Sequence, residues 1–352
     1  MRLALRLAAG LACGLALPVP ALANDGFGGL AATGLTFGRT DAVAMEEEDL
    51  FIGLDRVQVR YVFRNRTEQD VTGEVIFPLP PISLPAMMNQ AMNLPADLTR
   101  DNLVGFTARV DGAEVPVAVD RIAVIEPPWD PATPASAQYD TPGRDVTADL
   151  ARFGMPLSID WEEVVARIAA MDRATQDAMV AAGLMEVYDA GGTREFWPSW
   201  AIVLRYHWTQ TFPAGQAVVV EHGYSNHPPG GLFGWEDPPQ ADYLRETQAR
   251  YCVDAGTSRA IAKAIRRDDG QGGSYLMGTA YDIAYVLRTA NSWARPIGTF
   301  RLTLDKGAPG NVISFCGEGV RKTGPTTFTV EKTNYAPDRD LEVLVVAPVP
   351  AE

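Results

Sequence analysis

The sequence predicts a mainly-β protein made of two antiparallel β-sandwich-like units, the first carrying an α-helical insertion. Three observations predict this class. The chain has 32 Gly and 26 Pro among its 352 residues, a turn-rich composition that favours short strands over long helices. Segments of alternating polarity recur about every 10 to 15 residues with turn residues between them, as in antiparallel sheets rather than parallel βαβ units. The longest stretch of helical spacing lies between about residues 140 and 190, flanked on both sides by strand-like sequence.

The chain opens with Met1, Arg2 and Arg6 as a basic start. The apolar run Leu7 to Leu17 follows, then Pro18, Pro20 and Ala21-Leu22-Ala23. This is the pattern of a secretory signal peptide over residues 1–23, cut after Ala23, so the chain is expected to be exported. The run is shorter than the roughly 20 residues that a span requires, and no later stretch reaches that length, so no membrane span is expected after cleavage. Cys13 leaves with the signal. The remaining pair, Cys252 and Cys316, enters an oxidising compartment and is expected to form one structural disulfide, since it lacks the C-x-x-C spacing of a redox pair.

The first sandwich is expected over residues 24–235. Val57, Val59, Tyr61 and Phe63 alternate with Gln58, Arg60, Val62 and Arg64, a half-buried strand ending at Asn65-Arg66-Thr67. Val71 to Phe77 is a second strand, stopped by Pro78 to Pro81. Phe106 to Val110 and Glu114 to Val119 flank Asp111-Gly112, a type I′ hairpin signal. Residues 126–143 are proline-rich and irregular. Asp145 to Phe153 and then 160–183 have helical spacing, the latter a broken helix or helical hairpin opened by Asp160 and closed by Gly183. Trp200 to Phe212 and Ala217 to Tyr224 are strands joined by Pro213-Ala214-Gly215-Gln216. The second, disulfide-stapled unit is expected over residues 240–352: a helix at Ser258 to Arg267, then strands near 283–288, 299–304, 312–316, 327–332 and 341–346.

Several runs carry a family resemblance. Glu48-Asp49-Leu50-Phe51-Ile52, Phe77-Pro78-Leu79-Pro80, Tyr188-Asp189-Ala190-Gly191, Phe212-Pro213-Ala214-Gly215, Val220-Glu221-His222, Trp293-Ala294-Arg295-Pro296-Ile297-Gly298, Ser314-Phe315-Cys316 and Pro337-Asp338-Arg339-Asp340-Leu341 resemble, in order, a bacterial secreted family known as domain of unknown function 4424. The resemblance implies a periplasmic protein and carries no catalytic residue. The opening strands, with the Phe212-Pro213-Ala214-Gly215 turn leading into Val218 to Tyr224, are also similar to the vault/inter-α-trypsin (VIT) β-sandwich domain. That resemblance implies a module for interactions. Asp254-Ala255-Gly256-Thr257-Ser258 matches the D-x-S-x-S metal motif of accompanying adhesion domains only in part, and is read as a helix N-terminus.

The net charge of −14 argues against a nucleic-acid partner in the absence of a basic patch. The G-x-S-x-G, H-E-x-x-H, P-loop and dinucleotide motifs are absent, and no cofactor is implied. All three histidines, His207, His222 and His227, fall close together. If the turn centres on Ala214 and Gly215, His207 and His222 oppose each other with Cβ atoms about 5 Å apart, a workable metal pair with His227 as a further ligand. Otherwise they cap a sheet face. The acid run Glu46 to Asp49 reads as a solvated face. Among Trp129, Trp197, Trp200, Trp208 and Trp235, Trp208 reads as core, and Trp235 is the expected surface contact because of its loop setting. The functional expectation is a non-catalytic interaction or envelope-support module with a periplasmic or envelope protein partner. The alternative is a metal-binding protein or metal-dependent periplasmic enzyme using His207 and His222, and a third reading is ligand or glycan binding through Trp235.

Overall fold

The computed structural model describes residues 26–31, 34–38, 40–79, 81–87, 93–128, 143–268, 270–285 and 287–349. The signal peptide with its cleavage after Ala23, Trp129, and most of the irregular 126–143 connection lie outside the described residues. The chain is 46% strand against 18% helix, with several sheets, one of them a half-barrel. It is therefore mainly β with a few inserted helices, as expected.

Among the described residues the strands form sheets of seven, eight, five and two. The eight-stranded sheet runs in the spatial order Arg321–Lys322, Thr327–Tyr335, Ile297–Asp305, Val43–Ile52, Arg56–Asn65, Ala217–Ser225, Thr107–Val110, Ala113–Val115. The seven-stranded sheet is built around Ala201–Phe212, which pairs with Val71–Pro78 on one side and Ala118–Ile125 on the other. Alternation turns one face of each sheet inward, and Tyr61, Phe63, Phe77, Phe106, Tyr206, Phe212 and Val220 meet in a single core. The Asp111-Gly112 turn forms as expected, both residues at positive φ, with Val110 opposite Ala113, but its second arm stops at Val115, and Ala118–Ile125 begins a strand of the seven-stranded sheet. The insertion holds the helices Thr147–Arg152, Trp161–Ala169 and Arg173–Ala181. The middle one is capped by the Asp160 carboxylate, which accepts from Glu162 N and Glu163 N. After these helices comes the hairpin Met185–Ala190/Thr193–Pro198, which helical spacing did not reveal.

Two expectations about organisation are corrected. Pro213 to Gly215 does not close a hairpin: Ala201–Phe212 lies in the seven-stranded sheet, whereas Ala217–Ser225 pairs with Arg56–Asn65 and Thr107–Val110 in the eight-stranded one. Both strands are rich in inward apolar residues, so they stack face to face across the core. Asn65 holds the crossover by donating Nδ2 to Phe212 O at 2.8 Å, while Asp70 Oδ1 accepts Ala214 N at 2.9 Å.

The division near residue 240 does not follow the sheets either. Ile297–Asp305 lies parallel to Val43–Ile52, from Thr299 opposite Glu47 to Leu304 opposite Ile52, so the large sheet contains strands from both sides of residue 240. Gly298 is required at this junction, because a Cβ there would sit 2.5 Å from Glu46 O. Strand Leu341–Pro348 adds a second tie. Val343 and Val345 enter the main core, and Leu344 and Val346 enter a smaller one with Trp235, Leu244, Tyr251 and Ile261.

The outer face of the eight-stranded sheet carries a row of alternating charge with one residue from every strand. Register places Glu331 beside Arg301, Arg301 beside Asp49, Asp49 beside Arg60, Arg60 beside Glu221, Glu221 beside Arg109 and Arg109 beside Glu114. Arg321 extends the row to Glu331 at 3.0 Å, and Arg301 meets Asp49 at 2.9 Å. Exposed pairs contribute little each, about 0 to 1 kcal/mol. Together they favour one register, because a one-residue slip would turn every charge into the core.

Candidate functional site

His207 is the best placed of the candidate residues to do chemistry. On Ala201–Phe212 the inward positions are Leu204, Tyr206 and Trp208, so Arg205, His207 and Thr209 point to the opposite face. Glu74 lies across from Thr209 on one neighbouring strand, and Asp120 across from Arg205 on the other. Three adjacent strands thus converge on one imidazole. Its Nδ1 is 3.1 Å from Glu74 Oε2. Its Nε2 is 3.4 Å from Asp120 Oδ2, an ion-pair distance without hydrogen-bond alignment. The Thr209 hydroxyl donates to Glu74 Oε1. Arg205 lies on the same face, where burial pulls its guanidinium down from the ordinary value while the charges of Asp145 and Asp120 act in the other direction. Ala201, Val203 and Val124 complete a small apolar cluster there.

This arrangement limits the chemistry. One ion cannot touch both nitrogens of one ring, so the two carboxylates cannot join His207 in a single chelate. Nor is a nucleophile relay assembled, because the only hydroxyl described in the group bonds to the carboxylate rather than to the imidazole. What the group does is link three strands through charge-assisted contacts.

The expected His207/His222 pair is not formed. His207 lies opposite Ile76 and Ala118, and His222 opposite Val59 and Ala108 in the other sheet. His222 is 4% exposed, stacked on Phe106 at 5.2 Å with Phe77 at 5.1 Å and Tyr61 at 5.7 Å. It is a core residue, and His227 is half-buried after the strand. Among the described residues no group of three or more His, Cys, Asp or Glu is arranged to hold a metal.

Trp235 is likewise corrected from surface contact to core, at 4% exposed. Its Nε1 donates to Ser258 Oγ at 3.1 Å, and Ser258 donates to Asp237 Oδ1 at 2.7 Å. The loop is thereby pinned to the helix Ala255–Ala264, whose N-cap is Asp254, accepting from Thr257 N. That capping bears out the reading of Asp254 as a helix N-terminus. The Cys252–Cys316 disulfide forms as expected. Beside it Arg250 bridges Asp282 at 3.3 Å and Glu342 at 2.9 Å. Burial and the nearby Asp282 charge push the Tyr251 hydroxyl well above its ordinary value. Ser314 Oγ donates to Tyr251 O at 2.9 Å, joining the two stretches that carry the cysteines.

Sequence reading missed Glu74, Asp120 and the Met185–Pro198 hairpin. Glu74 lies within an expected strand and Asp120 one residue beyond another, but only the sheet order brings them to His207. The hairpin had a signal in Asp189-Ala190-Gly191-Gly192, a turn between two alternating segments.

Comparison with known proteins adds a family. Its profile matches residues 23–344, and its description is "Domain of unknown function (DUF4424)". No curated protein matches the chain. Among solved structures, one from Legionella pneumophila described as a "putative nutrient binding protein" is similar at 13% identity and a TM-score of 0.44, over 92% of this chain and 70% of that one.

Proposed function

Because the chain belongs to the DUF4424 family, whose description assigns no activity, we propose that it is an extracytoplasmic interaction or envelope-support module. The observation that carries this reading is the His207 group. The one histidine on a strand face away from the main core is held between Glu74 and Asp120, where it ties strands together. The Cys252–Cys316 disulfide supports an oxidising compartment. Among the described residues no helix is long and apolar enough to cross a membrane. The VIT resemblance belongs to the same proposal and is supported by the corner at Pro213 to Gly215, which carries the chain from one sheet into the Ala217–Ser225 strand of the other.

The test is in-cell crosslinking of the tagged mature protein in the periplasm, followed by mass spectrometry. One dominant partner at near-stoichiometric yield, recovered again when that partner is the bait, is the expected result. Turnover of a substrate by the purified protein that disappears in His207→Ala would overturn the reading.

A further inference from the structure

The hairpin Met185–Ala190/Thr193–Pro198 forms a two-stranded sheet of its own, and alternation divides it into an inner and an outer face. On the inner face Met185 and Phe196 are buried. The Phe196 ring is covered by two cations of the chain itself, Arg173 at 4.9 Å and Arg194 at 5.5 Å from its centroid. Both guanidinium groups also reach Asp177, at 3.3 and 3.7 Å. This is an aromatic ring and a carboxylate with two cations between them.

The outer face repeats the ring and the carboxylates without the cations. Glu186 lies opposite Trp197 and Tyr188 opposite Glu195, so two rings and two acids alternate on one surface. The Tyr188 and Trp197 centroids are 4.0 Å apart, and Tyr188 is 42% exposed. The Tyr188 hydroxyl donates to Glu186 Oε2 at 2.8 Å, so its proton is already committed. Glu195 is exposed and has no ion-pair partner among the described residues. The surface therefore offers π faces, carboxylate acceptors and the Trp197 indole N–H as a donor. A cation satisfies the rings and the two carboxylates together.

We propose that this face binds a lysine or arginine side chain of an extracytoplasmic polypeptide partner. The ammonium or guanidinium packs against Tyr188 and Trp197 and pairs with Glu186 and Glu195, as Arg173 and Arg194 do with Phe196 and Asp177 on the inner face. This site rests on the interaction-module reading and gives that module a contact surface of definite chemistry.

The test titrates the full mature, oxidised protein with N-acetylated pentalysine amide, followed by tryptophan fluorescence. Maltoheptaose and pentaglutamate are run in parallel. Saturable pentalysine binding is expected, weakened by a factor of about ten in Tyr188→Ala and in the shape-conserving Glu195→Gln. Glu318→Gln removes the same charge from a distant exposed site and is expected to stay within about twofold of the parent. Absence of saturable binding, equal weakening by Glu318→Gln, or tighter binding of maltoheptaose would overturn the proposal. Crosslinking separates this proposal from the one it rests on. A partner captured equally by the parent and by Glu195→Gln overturns the hairpin site and leaves the module reading intact.

Discussion

Ser258 shows how a single hydroxyl decides whether a loop is surface or core. At 1% exposure it accepts the Trp235 indole N–H and donates to Asp237, so Ser258→Ala leaves an indole donor and a carboxylate without their partner. A loss of about 1 to 3 kcal/mol is expected, read as a lower urea midpoint at unchanged slope. An unmoved midpoint would mean that the loop is held by packing alone. Trp235 looked exposed in the sequence because Gly234 and Pro238 mark a loop, and loops usually run over the surface. The sequence does not show that a serine 23 residues on would face it. His222 was misjudged in the opposite direction: a titratable residue on a strand proved to be one ring in an aromatic core. Glu126 supplies a pH signature at the same scale. Burial raises its carboxyl above the ordinary value, with the Ser83 hydrogen bond opposing. A raised acid keeps its proton longer in the folded than in the unfolded state, so it withdraws stability as pH climbs from the unfolded value through the folded one. Glu126→Gln is expected to raise the urea midpoint at about pH 7 and to leave it nearly unchanged at about pH 3, where both states hold the proton. A lower midpoint at about pH 7 would contradict that cause.

Strands and helices were largely legible as elements, because periods of two and 3.6 are written locally. The 299–304, 312–316 and 327–332 strands and the helices after Asp160 lie close to where periodicity put them. Apart from the Asp111-Gly112 hairpin, pairing between elements was not legible. A turn such as Pro213 to Gly215 serves a hairpin or a crossover equally well, and the choice falls to the inward faces of Trp208 and Val220, which must meet across a core. The His207 group follows the same logic: each member sits on a readable strand, and the group exists only through the order of three strands. The disulfide is the element-scale device most open to measurement. It closes a loop with a sequence separation of 64, for which loop-closure entropy gives about 4 kcal/mol. The Cys252→Ser/Cys316→Ser variant is therefore expected to lose up to about 4 kcal/mol, and reductant should lower the melting temperature of the parent but not of the variant. Equal melting temperatures with and without reductant would show that the bridge constrains little.

At the scale of the whole molecule, strands from either side of residue 240 share one sheet. Composition suggested a boundary near residue 240, since a tract rich in Pro and Gly separates a strand-rich part from a cysteine-bearing one. Register joins what composition separated. Arg301 is paired with Asp49 across 252 residues, and Leu341–Pro348 contributes to both cores. Contacts this distant in sequence leave no local pattern, so no reading of periodicity or turns reaches them. The same interleaving gives the proposed function its physical basis: a stiff framework whose polar side chains are tied into rows and groups, with the Met185–Pro198 hairpin presented outward. The central claim is that this framework is one cooperative body. Differential scanning calorimetry of the mature, oxidised chain tests it most directly. A single transition, with residues 24–235 failing to fold when expressed alone, is predicted. Two resolved transitions, the first surviving in the 24–235 fragment, would contradict it.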